Sequence, residues 1–104
     1  MNIMGRKALE DILRLKLAEE GILEEKSDEL YLVLWDFKSA KTPTPSFYKR
    51  IEALKNLTGK LEMLQQSAYL VRGFKLAAFL ASIAKEFGAE VKILQISSLV
   101  LLPS

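Results

Sequence analysis

Residues 30–37 read Leu30-Tyr31-Leu32-Val33-Leu34-Trp35-Asp36-Phe37, an apolar run of strand-forming residues broken by one carboxylate. A short, nearly continuous run of this kind suits a central β-strand covered on one face and shielded on the other. Side chains alternate across a strand, which puts Tyr31, Val33, Trp35 and Phe37 on one side and Leu32, Leu34 and Asp36 on the other. Asp36 therefore closes a hydrophobic strand.

On the N-terminal side, residues 6–20 carry Leu9, Ile12, Leu13 and Leu17 at helical spacing, and Gly21 stands where a C-terminal cap belongs. Residues 22–29 form a short, Glu-rich connector. On the C-terminal side, residues 38–45 hold two prolines and read as a loop, with Thr44 as N-cap and Pro45 opening a helix that runs to about residue 57. Phe47, Ile51 and Leu54 are its inward stripe and Gly59 ends it. Residues 61–64 and 68–72 read as two short strands, or one long bent strand, broken at Gln65-Gln66-Ser67. A strongly apolar helix follows over 74–87, stopped by Gly88, then a strand over 91–96 and a further short strand over 99–102.

After the first helix this order is β-α-β-β-α-β, the split βαβ pattern of ferredoxin-like domains, with both helices on one face of a four-stranded antiparallel sheet. The expected architecture is α+β: an N-terminal helical extension and connector (1–29) ahead of a ferredoxin-like domain (30–104). At 104 residues there is room for one domain. Half the residues are apolar and about a quarter are charged, the balance of a globular protein.

Composition excludes several chemistries. The chain has no cysteine and no histidine. A Cys/His zinc site, a Ser–His or Cys–His nucleophile, a disulfide framework and a histidine base are therefore ruled out. Catalysis is left to carboxylates, lysine, tyrosine or a carboxylate-bound hard cation such as Mg²⁺. The longest apolar stretch, residues 76–84, is far short of the ~20 residues that span a bilayer, and Met1-Asn2-Ile3-Met4 before charged residues is not a secretory leader. A cytoplasmic protein is expected. Frequent Lys and Glu beside scarce Asn and Gln point to a thermophilic source.

The net charge of +2 is unevenly spread: residues 1–30 hold five basic and eight acidic side chains, and residues 31–104 hold ten and five. Lys38, Lys41, Lys49, Arg50, Lys55 and Lys60 face only Glu52 in the segment 37–60. That segment is either a phosphate-binding surface or a solvated loop and helix face. Asp36 is either a Mg²⁺ ligand at the end of a buried strand or an aspartate that starts the next turn by accepting backbone N–H bonds. Arg72-Gly73-Phe74-Lys75-Leu76-Ala77-Ala78-Phe79 partly matches an RNA-binding octapeptide. That motif must be a strand, whereas a helix is expected here, so Phe74 and Phe79 are assigned to the core. Gln65-Gln66-Ser67 with Tyr69 either lines a site or marks a bulge.

The apolar strand ending in Asp36, the segment Leu64-Gln65-Gln66-Ser67-Ala68-Tyr69-Leu70-Val71 and the strand Val91-Lys92-Ile93-Leu94 resemble, in that order, the small CRISPR-associated protein that partners the spacer integrase and the VapD-like toxins of the same fold. The resemblance covers residues 30–97. It implies a homodimer presenting a basic surface to nucleic acid, DNA or RNA, and it implies that Asp36 matches the strand-end aspartate that binds a divalent metal in nuclease members.

The leading expectation is a dimeric nucleic-acid-associated protein acting as a weak Mg²⁺-dependent endonuclease, with Asp36 as catalytic and metal residue and Lys38, Lys41, Lys49 and Arg50 on phosphate. The alternative is a non-catalytic interaction or scaffold domain whose Leu9, Ile12, Leu13 and Leu17 dock on a protein partner or on a second copy.

Overall fold

The computed structural model describes residues 6–37 and 44–97. Its elements are α1 (Arg6–Glu19), β1 (Leu30–Asp36), α2 (Pro45–Thr58), β2 (Leu61–Gln65), β3 (Ala68–Arg72), α3 (Phe74–Glu86) and β4 (Glu90–Ile96). The four strands form one antiparallel sheet in the order β2-β3-β1-β4, giving an α+β fold with three helices. Each element lies within a residue or two of its expected position. The expected strand at 99–102 and the loop at 38–43 lie outside the described residues.

β1 is the spine of the sheet, with β3 on one side (Val33 opposite Tyr69) and β4 on the other (Val33 opposite Ile93). Residues 66–67 turn β2 into β3, so the segment 61–72 is two strands and not one bent strand. The register slips between Met63 and Gln65, leaving Leu64 as the extra residue of a bulge; this is what the Gln-Gln-Ser interruption encodes.

The alternation in residues 30–37 is realised as expected. Tyr31, Val33 and Trp35 are buried, and with Tyr69 and Val71 of β3 they face the helices. Phe47 of α2 meets Trp35 edge-on at 5.4 Å, and the Trp35 and Tyr69 rings stack at 5.4 Å. Phe37, Tyr48 and Phe87 complete the ring cluster around Phe47. Such pairs add about 0.5–1.5 kcal/mol each beyond the area they bury. From α3, Leu76, Ala77, Leu80, Ile83 and Ala84 join the same core. Phe79 does too, but Phe74 is 54% exposed and only leans its ring on Tyr31, so the core assignment of Phe74 is corrected.

Helix ends follow local chemistry. Gly59 ends α2 in the left-handed conformation (φ 65°) that favours glycine, and its N–H donates to the Lys55 carbonyl at 2.8 Å. Thr44 holds the N-cap position ahead of Pro45, but its hydroxyl makes no capping bond.

The N-terminal segment is built into this core. α1 packs against α2, and Leu13 (3% exposed), Leu17 (0%) and Ile22 belong to the same cluster as Trp35 and Phe47. Burying one such side chain stabilises the fold by roughly 1.5–3 kcal/mol. The Glu-rich connector is anchored as well. The Lys75 N–H donates to Glu25 Oε2 at 2.9 Å, and Lys60 Nζ donates to the Glu25 carbonyl at 3.1 Å. The N-cap of α3 is Gly73, which has no side chain to cap with, so Glu25 supplies a carboxylate to the helix N-terminus. Gly73 sits at φ 98°, and a Cβ there would collide with Glu25 Oε1 and lie 2.8 Å from its Cδ.

Candidate functional site: the leucine face of the sheet

The side chains of β1 that point away from the helices are Leu30, Leu32, Leu34 and Asp36. Cross-strand register extends this set sideways. Leu32 is flanked by Leu70 of β3 and Leu94 of β4, Leu34 by Ala68 and Lys92, Leu30 by Arg72 and Ile96, and Asp36 by Glu90. Glu62 of β2 lies beyond Leu70.

Among the described residues no element covers this face. Ala68 (3% exposed) and Leu70 (4%) lie outside the main core cluster and are buried nonetheless, so the β3 side of this face is already shielded from water within the chain. Leu30, Leu32, Leu34 and Ile96 are half-buried, and Leu94 is 50% exposed. The outcome is an apolar field ordered by backbone pairing, with charge at its rim. Arg72 stands at the end where β1 begins. Asp36 and Glu90 stand at the end where it finishes, with Lys92 one pair further in. A contiguous apolar patch rimmed by polar groups is the usual mark of a contact surface.

The expected site residues are placed as follows. Asp36 ends β1 and is exposed, as its place in the sequence implied, and the structure sets Glu90 directly across the ladder from it. Sequence reasoning missed Glu90 because only the strand register makes the two carboxylates neighbours. Among the described residues no group of three or more Asp, Glu, His or Cys converges. Lys38 and Lys41 lie outside the described residues. Lys49 is exposed on α2. Arg50 is engaged within the fold: its guanidinium lies 3.6 Å from Glu86 Oε2 and over the Phe87 ring at 5.4 Å. Of the expected interface stripe, Leu13 and Leu17 are buried in the chain's own core, Leu9 packs partly against it, and Ile12 is 43% exposed.

Elsewhere among the described residues two further features stand out. A hollow of about 110 Å³ is lined by Ile22, Leu23, Glu25, Leu57, Thr58, Lys60 and Leu76, well below the ~300–1,000 Å³ of small-molecule pockets. Burial raises the hydroxyl pKa of Tyr69, with smaller contributions from Glu52 and Tyr48. The Tyr31 hydroxyl is raised by burial and then by the carboxylates of Glu29 and Glu25. Among the described residues no helix is long and apolar enough to cross a membrane.

The chain matches no protein-family model, no curated protein and no solved structure. The resemblance to the small CRISPR-associated and VapD-like proteins rests on the quoted residues alone.

Proposed function

We propose that this chain is a ferredoxin-like interaction domain, which works by presenting the leucine-bearing face of its sheet, the one turned away from the helices, to another protein surface and not by catalysis. The ferredoxin-like reading is supported by the element order after α1 and by the sheet order, which read from the other edge is β4-β1-β3-β2. The observation that carries the functional reading is the aliphatic set Leu30, Leu32, Leu34, Leu94 and Ile96, half exposed at Leu94 and partly exposed at the rest, inside a charged rim. Fully burying one leucine is worth roughly 1.5–3 kcal/mol, so the part of this set left in water is a cost that a partner removes.

A second reading is favoured by the Asp36–Glu90 pair. Mg²⁺ is commonly held by one or two carboxylates, with water and phosphate oxygens completing six ligands. In that reading the chain is a dimeric nucleic-acid-associated endonuclease, with Asp36 and Glu90 on the metal and Lys49 near phosphate. The metal would activate water at the strand end.

One assay separates the two. Labelled single-stranded RNA and duplex DNA are incubated with Mg²⁺ and either the wild-type chain or Asp36→Asn. An interaction domain cleaves neither substrate with either protein. Cleavage by the wild type that disappears in a folded Asp36→Asn variant would replace the first reading with the second.

A further inference from the structure

We infer that the β3 side of the leucine face is capped by the chain's own residues Leu99-Val100-Leu101-Leu102, which follow β4 and close over Leu70 and Ala68. The inference goes beyond the contact-face reading and does not need it.

Leu70 shows that something lies above it. It belongs to a cross-strand row, Glu62–Leu70–Leu32–Leu94, that spans all four strands. Exposure falls steeply along that row: Leu94 is 50% exposed, Leu32 is half-buried and Leu70 is 4% exposed. Side chains stand roughly perpendicular to a sheet, so cross-strand neighbours shield the flanks of a leucine and leave its tip bare. The neighbours of Leu70 are Leu32, itself only half-buried, and Glu62, which is exposed. Neither closes over it, and the helices meet the other side of the sheet at Tyr31 and Trp35. Ala68, the next residue of β3 on this side, is shielded as well. The cover therefore sits above β3 and thins toward β4.

Three stretches outside the described residues are candidates for it, and chemistry and reach separate them. Residues 38–43 read Lys-Ser-Ala-Lys-Thr-Pro. Laid on leucines, they would strip water from two ammonium groups and two hydroxyls without pairing them, which is costly. Residues 1–5 carry Ile3 and two methionines, but they lead into α1, which packs on α2 behind the sheet. Five residues span at most ~18 Å. The route from that helix layer round a sheet edge to the middle of the far face crosses more than one layer of ~10 Å and half the width of the sheet.

Residues 99–102 have both the chemistry and the reach. They are four aliphatic side chains in succession, and they start from the plane of the sheet, because Ile96 closes β4 opposite Leu30. From Ile96, Leu70 lies two strands across and two residues back, ~10 Å and ~7 Å away. The six residues from 97 to 102 extend to ~20 Å. A crossing over the Ile96–Leu30 row agrees with the half-burial of both residues. The cover divides the leucine face. Its β3 side is taken by the same chain, and the β4 side, with Leu94 half exposed, is what remains for a partner.

The test is thiol accessibility in the full chain, which has no cysteine of its own. Leu70→Cys and Ala68→Cys each place a single thiol under the inferred cover, and Leu94→Cys places one at the exposed end of the row. Circular dichroism checks the fold of every variant. Maleimide should modify positions 70 and 68 on the order of a hundredfold more slowly than position 94, because reaction there waits for local opening. Adding Val100→Asp/Leu101→Asp should remove the difference. One of any two consecutive residues in an extended segment faces the sheet, so this pair breaks the contact in either register. Ile3→Asp/Met4→Asp should leave the difference intact. Equal rates at the three positions in the otherwise native chain overturn the cover altogether. Release by the Ile3/Met4 pair alone, or by neither pair, overturns its assignment to residues 99–102. Methyl NOEs between Leu70 and residues 99–102 in the wild type read the same contact without any substitution, and their absence also overturns it. Position 94 reacts readily in every case, so failure of the cover leaves the contact-face reading to its own assay.

Discussion

The two faces of the sheet are made from the same strands but from different side chains. Toward the helices β1 and β3 present Tyr31, Val33, Trp35, Tyr69 and Val71, and Trp35 and Tyr69 join the ring cluster around Phe47. Away from the helices the same strands present Leu30, Leu32, Leu34, Ala68 and Leu70, with Leu94 and Ile96 beside them on β4. The first set needs rings at fixed angles and distances to fill its volume. The second is a field of flexible aliphatic side chains with charge only at the edges. The contrast separates what specifies this fold from what is left over for something else to cover.

Three substitutions on the covered side mark how far that specification reaches. The largest loss is expected at Phe47, which is fully buried and touches the rings of Trp35, Phe37, Tyr48 and Phe87. Phe47→Ala should cost about 3–5 kcal/mol, read as a fall in the urea midpoint, and on a chain of this size it leaves little of the native population. Leu17→Ala comes next at about 2–5 kcal/mol, because Leu17 is wholly buried although it lies in the N-terminal helix. A loss under about 0.5 kcal/mol, the range of ordinary surface changes, would mean that α1 is an appendage after all.

Gly73→Ala should cost roughly 1–3 kcal/mol from backbone strain at a positive φ and from the collision with Glu25. Glu25→Ala alone should cost about 1 kcal/mol, the value of a helix cap. The pair should cost less than the sum, since removing the carboxylate removes the collision. Additive losses in a denaturation double-mutant cycle would sink the contact between the connector and α3.

Tyr69 gives the covered face a pH signature. Its folded pKa is raised above the ordinary tyrosine value of about 10, first by burial and then by Glu52 and Tyr48. Above that value the unfolded chain releases the phenolic proton while the folded chain keeps it. The folded state then binds more protons, and stability falls with rising pH. The contribution is complete below about pH 10 and is lost as pH climbs through the raised folded value. Absorbance of the tyrosinate form should show late ionisation, shared by Tyr31 and Tyr69, that Tyr69→Phe reduces, and the same variant should flatten the alkaline decline in melting temperature. A decline of the same steepness in Tyr69→Phe would assign it to another group.

Much of this comparison was legible in the sequence, and its limits are physical. Period-two alternation in residues 30–37 sorted the aromatic side of the strand from the leucine side, and Asp36 was correctly placed at the strand end. A strand that is apolar on both sides says nothing about which side the helices will cover, so the leucine face was told from the helix side only once α2 and α3 were both seen against Trp35 and Tyr31. Register is equally silent in sequence: Glu90 neighbours Asp36 because β4 pairs with β1 without a slip. Glu25 looked like one solvated acid among several, and its role depends on an amide fifty residues away. Arg50 was counted as a free cation because nothing near it in sequence announces Glu86 or Phe87.

The smallest effects on stability belong to the leucine face. Leu94→Ser removes a half-exposed side chain at the sheet edge, and Asp36→Asn changes an exposed residue at the end of β1. Measured in the isolated chain at low concentration, both should lie within about ±0.5 kcal/mol of wild type. What should separate them is concentration. If a second copy covers this face, melting temperature rises with protein concentration in the wild type by mass action. That dependence should be nearly absent in Leu94→Ser and little changed in Asp36→Asn, which loses no apolar area. Equal concentration dependence in all three proteins would mean that the leucine face plays no part in assembly and that its half-exposed side chains are an ordinary surface.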